Sequence, residues 1–479
     1  MKIPTLVVLC VLFFAVVQQT SATTNCERVL DEDTTAENPP IFPAGESQNP
    51  PEIVGEWVSY ECETRPGYPH YQLRKVVFDS PDAFGIETVY YRDESCITPF
   101  LTATYGGTYQ FTGVSETTVA GYNFNLHYQQ GEITPHADQA VEWLNSAVAG
   151  TCGVSNVGSV FSRGVTVPVT QTGGCSLLGI DLPSTHYQLF RITFMYHNGL
   201  WTHLQFGQDP SDGSAPDSIA KRATNYFPHW LVPVSECEED GEGDEGAICR
   251  AVNAANEQNP PIGRKVLVET TPRYNGRWVS KQCESVPYSI GGLVAGLFVI
   301  REYEFDNAIT WQTFYYYSDP TCNIKAFTTR YRGTYVNEGL SSELQSTHNF
   351  EYVFTQAWLT PTSPSYNQLF NAHCGNGQWQ ENVEREVSND GCEVVGVVIN
   401  PADPQPEYDV VSMRTKEYNL YFGQRPSSGL RPTDPEQRPK AYQLPAIGEL
   451  ECYERASAST FSTSIFMLAS IVLVLFFLY

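Results

Sequence analysis

Residues 122–128 read Tyr-Asn-Phe-Asn-Leu-His-Tyr, and 226 positions further on residues 348–354 read His-Asn-Phe-Glu-Tyr-Val-Phe. In the first stretch Tyr122, Phe124, Leu126 and Tyr128 alternate with Asn123, Asn125, His127 and Gln129. In the second, Phe350, Tyr352 and Phe354 fall on the matching positions. Strict period-two alternation predicts a strand with one apolar and one polar face. The same strand written twice, this far apart, points to an internal duplication.

Working outward from these strands, the punctuation repeats in order. Asn38-Pro39-Pro40-Ile41 returns as Asn259-Pro260-Pro261-Ile262, and Gly55-Glu-Trp57-Val-Ser59 with Cys62-Glu63 returns as Gly276-Arg-Trp278-Val-Ser280 with Cys283-Glu284. Tyr90-Tyr91-Arg92-Asp93 and Cys96 match Tyr316-Tyr317-Ser318-Asp319 and Cys322. From Asp93/Asp319 through Gly107-Thr-Tyr109/Gly333-Thr-Tyr335 to Pro135/Pro361 the offset stays at 226, so no insertion separates these stretches. Further strands are predicted at 73–78, 87–91, 187–196, 200–206 and 418–422. A helix is predicted over 136–149, where Ala140, Val141, Leu144, Ala147 and Val148 share a face, with a shorter counterpart around Tyr366, Leu369 and Phe370. Each would lead to a cysteine, Cys152 or Cys374.

The chain has 13 cysteines. Cys10 lies in an apolar run, residues 6–17, that follows Lys2 and ends at Ser21 and Ala22, which reads as a cleavable secretory signal over residues 1–22. Twelve remain, six per copy: Cys26, Cys62, Cys96, Cys152, Cys175 and Cys237, then Cys249, Cys283, Cys322, Cys374, Cys392 and Cys452. An even set in a secretory protein predicts disulfides, and six per repeat would let each domain close its own bridges, with 15 pairings open to each. The domains then run over 23–237 and 249–452, joined by an acidic, glycine-bearing linker at 238–248. Residues 453–479 place small residues and a short polar spacer before an apolar end, predicting a glycolipid-anchor signal or a single-pass segment. Either would hold the folded part on the outer face of the plasma membrane. The sequence carries no Asn-x-Ser/Thr acceptor, so any glycan is O-linked.

A formal charge of −26 argues against nucleic acid as a partner. Gly241-x-Gly243-x-x-Gly246 follows no strand and is crowded with carboxylates that repel pyrophosphate, so it reads as linker. No nucleophile elbow, His-Glu-x-x-His, phosphate loop or EF-hand loop occurs. His197 and His203 lack a second ligand at metal-binding spacing, and hydrogen bonding at a strand end is the simpler role. Glu63/Glu284 and Asp93/Asp319 are repeated carboxylates; beside cysteines, they read as turn or hydrogen-bonding groups. No catalytic residue, metal ligand or cofactor is expected, and the chain reads as a binding protein.

The aromatic strand faces allow two readings. They can form ordinary cores, as any β domain requires. They can instead line the concave side of a curved sheet and take an apolar ligand, at about 0.8 kcal/mol per buried methylene. The candidate lining residues are Tyr122, Phe124, Leu126, Tyr128, Phe350, Tyr352 and Phe354.

The order Gly-x-Trp57-x-Ser59, Cys62-Glu63, Arg65-Pro66-Gly67, Tyr90-Tyr91-Arg92-Asp93 and Cys96, in tandem from Cys26 to Cys452, resembles the adenomatosis polyposis coli down-regulated family of membrane-tethered Wnt antagonists. The resemblance implies a mainly β fold: two tandem homologous antiparallel, half-barrel-like sheets, each disulfide-bonded with a short helix. It also implies an apolar cavity for the acyl chain of a Wnt ligand, with Wnt co-receptors as further partners. The second copy departs from the pattern, having Ser285-Val286-Pro287 for Arg-Pro-Gly and Ser318 for Arg92. The alternative expectation is a structural or adhesive surface protein with solid cores.

Overall fold

The computed structural model describes residues 34–40 and 52–449, except 80–81, 119, 147–150, 153–159, 197–199, 240–246, 257–258, 266–271, 287–295, 376, 415–418 and 426–431. The predicted signal, the middle of the predicted linker, the anchor segment, Cys10, Cys26, Cys452 and His197 lie outside the described residues.

The alternating stretches form strands as expected. In the first repeat these are β1 (Gly55–Ser59), β2 (Tyr71–Asp79), β3 (Ala83–Tyr91), β4 (Pro99–Val114), β5 (Tyr122–Pro135), β6 (Ser184–Tyr196), β7 (Leu200–Phe206) and β8 (Leu231–Pro233). Every strand from β2 to β8 pairs antiparallel with the next in the chain. β1 then joins the two ends, with Trp57 to Ser59 opposite Pro233 to Leu231 on one side and Gly55 to Val58 opposite Phe78 to Lys75 on the other. The curled sheet thus closes into an eight-stranded up-and-down barrel, a form that leaves no free edge.

The second repeat builds the same barrel from β9 (Gly276–Ser280), β10 (Phe298–Asp306), β11 (Ile309–Tyr317), β12 (Lys325–Leu340), β13 (His348–Pro361), β14 (Pro406–Arg414), β15 (Asn419–Phe422) and β16 (Ala446–Gly448). Here β9 closes the ring between β16 and β10. Two short strands, Glu63–Thr64 and Glu284–Ser285, extend the seam along β2 and β10.

Four α-helices are described: α1 (Asp138–Ser146), α2 (Val234–Glu239), α3 (Ala247–Ala254) and α4 (Pro364–His373). α1 buries Ala140 and Leu144 as its periodicity predicts, and α4 buries Phe370. α4 has 10 residues, and residues 147–149 of the predicted first helix lie outside the described residues. Pro364 at the start of α4 fixes φ where the lost N–H has no helical partner, so the helix begins cleanly there.

Bridges Cys62–Cys96 and Cys152–Cys175 lie within the first repeat, and Cys283–Cys322 and Cys374–Cys392 correspond to them in the second. The parity expectation fails at the fifth, because Cys237 on α2 bonds Cys249 on α3 and so joins the two repeats. The reason lies in packing. Cys249 and Val252 of α3 are buried with Val58, Leu73, Val89, Tyr91 and Val232 on the outer wall of the first barrel.

The repeated Gly-Thr-Tyr signature marks a bulge. The β4–β5 register slips at Gly106/Gly107 and the β12–β13 register at Arg332/Gly333. A Cβ on Gly107 would stand 1.8 Å from the His127 carbonyl oxygen, and one on Gly333 would stand 2.2 Å from that of Val353. Backbone cannot yield as a side chain does. Gly107→Ala and Gly333→Ala are each expected to cost at least ~1–3 kcal/mol, the range for overpacking. Urea midpoints of the two single variants check this; unchanged midpoints would contradict the close approach.

Candidate functional site

With eight strands, a barrel interior is just wide enough for side chains to fill it or for one small ligand. The inward faces here are strongly aromatic. Tyr122, Phe124, Leu126 and Tyr128 of β5 all point inward and are buried, as are Phe350, Tyr352 and Phe354 of β13. Within the first barrel the Phe124 ring lies 4.8 Å from Phe190 and 6.1 Å from Tyr109, and Tyr128 lies 5.1 Å from Phe84 and 4.3 Å from His186. Within the second, Phe350 stacks on Tyr335 at 5.4 Å, and Tyr352 stacks on Phe354 at 5.9 Å. The structure therefore brings the candidates together in two groups, one per barrel, each packed ring against ring. α1 and the Cys152–Cys175 bridge join the core of the first barrel, as Phe370 and Cys374–Cys392 do in the second.

An open space adjoins the second barrel where it faces the first. Val286, Val299, Tyr303, Phe314 and Tyr316 form its apolar wall, Glu284, Ser285, Arg301, Arg425 and Gln443 its polar rim, and Gln208 and Asn225 reach in from the first repeat. The cavity is about 70 Å³, room for roughly five waters at ~10–15 Å³ apiece. The ring contacts run on from this wall into the core. Tyr303 stacks on Phe422 at 3.9 Å, Phe314 meets Tyr331 at 6.1 Å, and Tyr331 meets Phe354 at 5.7 Å.

The departure from Arg-Pro-Gly bears directly on this cleft. In the first repeat Arg65 is buried, its guanidinium 5.2 Å from the centre of the Tyr90 ring and donating to the carbonyls of Pro69 (3.2 Å) and Leu178 (3.3 Å). In the second repeat, counting from Cys62/Cys283 and Glu63/Glu284 corrects the register by one, so that Val286 rather than Ser285 stands at the position of Arg65, and Tyr316 stands at that of Tyr90. Both line the cleft. A short aliphatic side chain leaves space that the long cation fills in the other copy.

The repeated Glu63/Glu284 is the acceptor of a buried ion pair. Glu63 takes hydrogen bonds from Ser59 Oγ (2.6 Å), Gln72 Nε2 (3.1 Å) and Arg74 Nε (2.8 Å). Glu284 takes Arg301 Nη2 at 2.8 Å, and the same guanidinium reaches Tyr303 Oη at 3.1 Å and the Leu444 carbonyl at 2.8 Å. In each barrel the Ser59 or Ser280 hydroxyl also accepts the arginine's own backbone N–H. Asp93 and Asp319 play the predicted turn role, Asp93 accepting N–H bonds from Ile97 and Thr98, and Asp319 from Thr321, Asn323 and Ile324. His203 stacks on Trp230 at 5.0 Å. Among the described residues no group of three His, Cys, Asp or Glu could hold a metal ion.

Asp409 of β14 is buried close to Arg425 and Glu407 and accepts N–H bonds from Val410 (2.8 Å) and Gly423 (3.0 Å). Burial raises its pKa, Arg425 lowers it and Glu407 raises it, leaving it at about 6. An unfolded aspartate titrates near ~4, so between these values the native state holds the extra proton. Its stabilising contribution is full below the unfolded value and is lost as pH rises through 6. The second barrel is therefore expected to gain roughly 1 kcal/mol at pH 5 over pH 7 from this group, and Asp409→Asn to flatten the change. Unfolding midpoints across that range check it; an unaltered slope in the variant would refute it.

The sequence reading missed Val299, Arg301, Tyr303 and Phe314, and took Tyr316 only as the counterpart of Tyr90. Their signal was present as alternation over residues 299–305 and as a counterpart to the strand found at 87–91.

Two disulfide-bonded up-and-down barrels, with aromatic interiors and an amphipathic cleft where they meet, define a duplicated β-barrel protein of the extracellular kind; the bridges place it in an oxidising compartment. Among the described residues no helix is long and apolar enough to cross a membrane. Comparison with known families carries the assignment further. The sequence profile of the family described as adenomatosis polyposis coli down-regulated 1 matches residues 43–264 and again residues 262–390, and the chain belongs to that family. The double match follows the duplication.

Proposed function

We propose that this chain is a cell-surface negative regulator of Wnt signalling that binds a Wnt ligand through its acyl chain, with Wnt co-receptors as additional contacts. Family membership supports the pathway. The observation that carries the binding mode is the continuous aromatic interior of the second barrel, reached through a cleft whose wall is Val286, Val299, Tyr303, Phe314 and Tyr316. A methylene chain following those rings would gain about 0.8 kcal/mol per buried carbon. At about 70 Å³ the cleft must widen inward for this, and the rings that would part are those of Tyr303, Phe314 and Tyr331. Anchoring at the outer face of the plasma membrane, through residues 453–479, belongs to the same proposal.

The experiment compares the ectodomain's binding of an acylated Wnt with that of the same Wnt lacking its acyl group. Strong binding of the first and a loss of tenfold or more with the second is expected; equal binding, or none, removes the reading. Val286→Arg, which restores the residue of the first repeat, is expected to weaken the acylated ligand by about tenfold with the fold intact.

A second reading, an adhesive or structural surface protein, is favoured by one specific observation. All seven candidate lining residues pack against other side chains, as solid cores require. A chain that extracts no lipid from cell membranes and binds neither form of Wnt would establish it.

A further inference from the structure

Each repeat opens with a diproline strap that lies on the other repeat's barrel. Both straps begin with the same tight turn. Thr35 and Asn38 exchange backbone hydrogen bonds at 3.2 Å each way, and Asn256 and Asn259 do so at 3.2 and 2.9 Å. The prolines follow at once, with φ fixed by their rings. Tyr317 at the end of β11 donates its hydroxyl to the Pro40 carbonyl (2.6 Å), and Tyr91 at the end of β3 donates to that of Pro261 (2.5 Å). The exchange is reciprocal: the first strap sits on the second barrel, and the second strap sits on the first.

The receiving surfaces match as well. Each tyrosine is buried, and each lies beside a bridge, Cys62–Cys96 or Cys283–Cys322, whose second cysteine takes a left-handed φ of 49° or 53° in a turn capped by Asp93 or Asp319. On the first barrel Gly263 donates its N–H to the Cys96 carbonyl at 2.7 Å. It lies so close that a Cβ would come within 2.1 Å of the Ser95 carbonyl oxygen. Pro261 and Gly263 are buried there while Ile262 between them points to solvent. On the second barrel Lys325 Nζ donates to Asn38 Oδ1 at 3.0 Å.

A rigid, N–H-poor proline segment laid on an aromatic side chain is how folded domains read proline-rich peptides. We propose that the wall beside each of these two bridges is a peptide-binding site for an Asn-Pro-Pro segment, filled within this chain by the strap of the opposite repeat. The site can then take the same segment offered in trans. The inference stands apart from any Wnt ligand.

The test uses the whole ectodomain. Replacing Pro260 and Pro261 by Gly unseats the second strap, and a fluorescein-labelled peptide with the sequence of residues 256–264 is then titrated in. The peptide is expected to bind this variant at least about tenfold more tightly than it binds the native chain, and adding Tyr91→Phe is expected to reverse most of the gain. Equal binding to native chain and variant, or equal binding of a peptide with both prolines changed to Ala, overturns the proposal. A single Tyr91→Phe substitution keeps the buried ring and guards against misfolding as an explanation. Hydrogen exchange at the Gly263 amide is expected to quicken by about tenfold in that variant, and an unchanged rate also overturns the proposal.

Discussion

Glu284→Ala is expected to destabilise the second barrel by about 3–5 kcal/mol, because it strands a cation where water cannot reach it. The Arg301 side chain is 6% exposed and that of Glu284 is 2% exposed, so neither partner has solvent to fall back on. The carboxylate accepts the guanidinium at three contacts, of 3.1, 2.8 and 2.9 Å, and the guanidinium left behind stays charged because arginine is effectively always protonated. Burial by itself disfavours the charge and Glu284 outweighs it in the native chain, so the substitution removes the group that holds the cation there. In a thermal scan the transition of the second barrel should fall by roughly 10 °C, at about 2–4 °C per kcal/mol for a domain of this size. The paired replacement Glu284→Leu with Arg301→Met should recover most of the loss, since a buried ion pair exchanged for apolar side chains is often neutral. A double variant as unstable as the single one would show that the seam with Leu444, not the charge, is what Arg301 holds. Glu63→Ala should cost less, because Arg74 is 12% exposed and also lies 4.8 Å over the Phe206 ring.

Phe350→Ala is expected to remove about 3–5 kcal/mol, the cost of deleting a fully buried aromatic side chain. Its ring stacks on Tyr335, meets Tyr274 edge-on at 5.0 Å and lies 5.8 Å from Tyr352, so several neighbours lose contact at once. Chemical denaturation of the ectodomain measures the loss. The same variant separates the two readings of the aromatic interior. If the interior takes acyl chains, palmitoleic acid added during the unfolding experiment should recover part of the lost stability, because a ligand that binds only the native state adds to it. No recovery at saturating fatty acid would assign Phe350 to the core alone.

Much of this architecture was legible in the residues. The 226-residue offset, with no insertion from Asp93 to Pro135, anticipated two matching β-sheet domains because paired strands tolerate no slip where one face is buried. Alternation in residues 122–128 identified β5, and Pro135 ahead of Ala140 and Leu144 identified α1. Ring closure was not legible. It depends on β1 and β8, which have only 5 and 3 residues, too few to show a period. The pairing of Cys237 with Cys249 was hidden for a related reason. Counting cysteines by repeat assumes that each repeat folds on itself, whereas α3 and the strap after it lie on the preceding barrel. The cleft escaped notice because it arises from a difference between copies, Val286 for Arg65, while a search for duplication attends to what is shared.

The Cys237–Cys249 bridge spans the stretch where the acidic residues are densest, with a sequence separation of 12. A protease that cut this chain once between those two cysteines would not release a fragment, since the sulfur link would still hold both pieces. Electrophoresis without reductant would show a single species of unchanged mass, and only added thiol would resolve it into two bands. One-chain and nicked two-chain forms of this protein look alike until reduced.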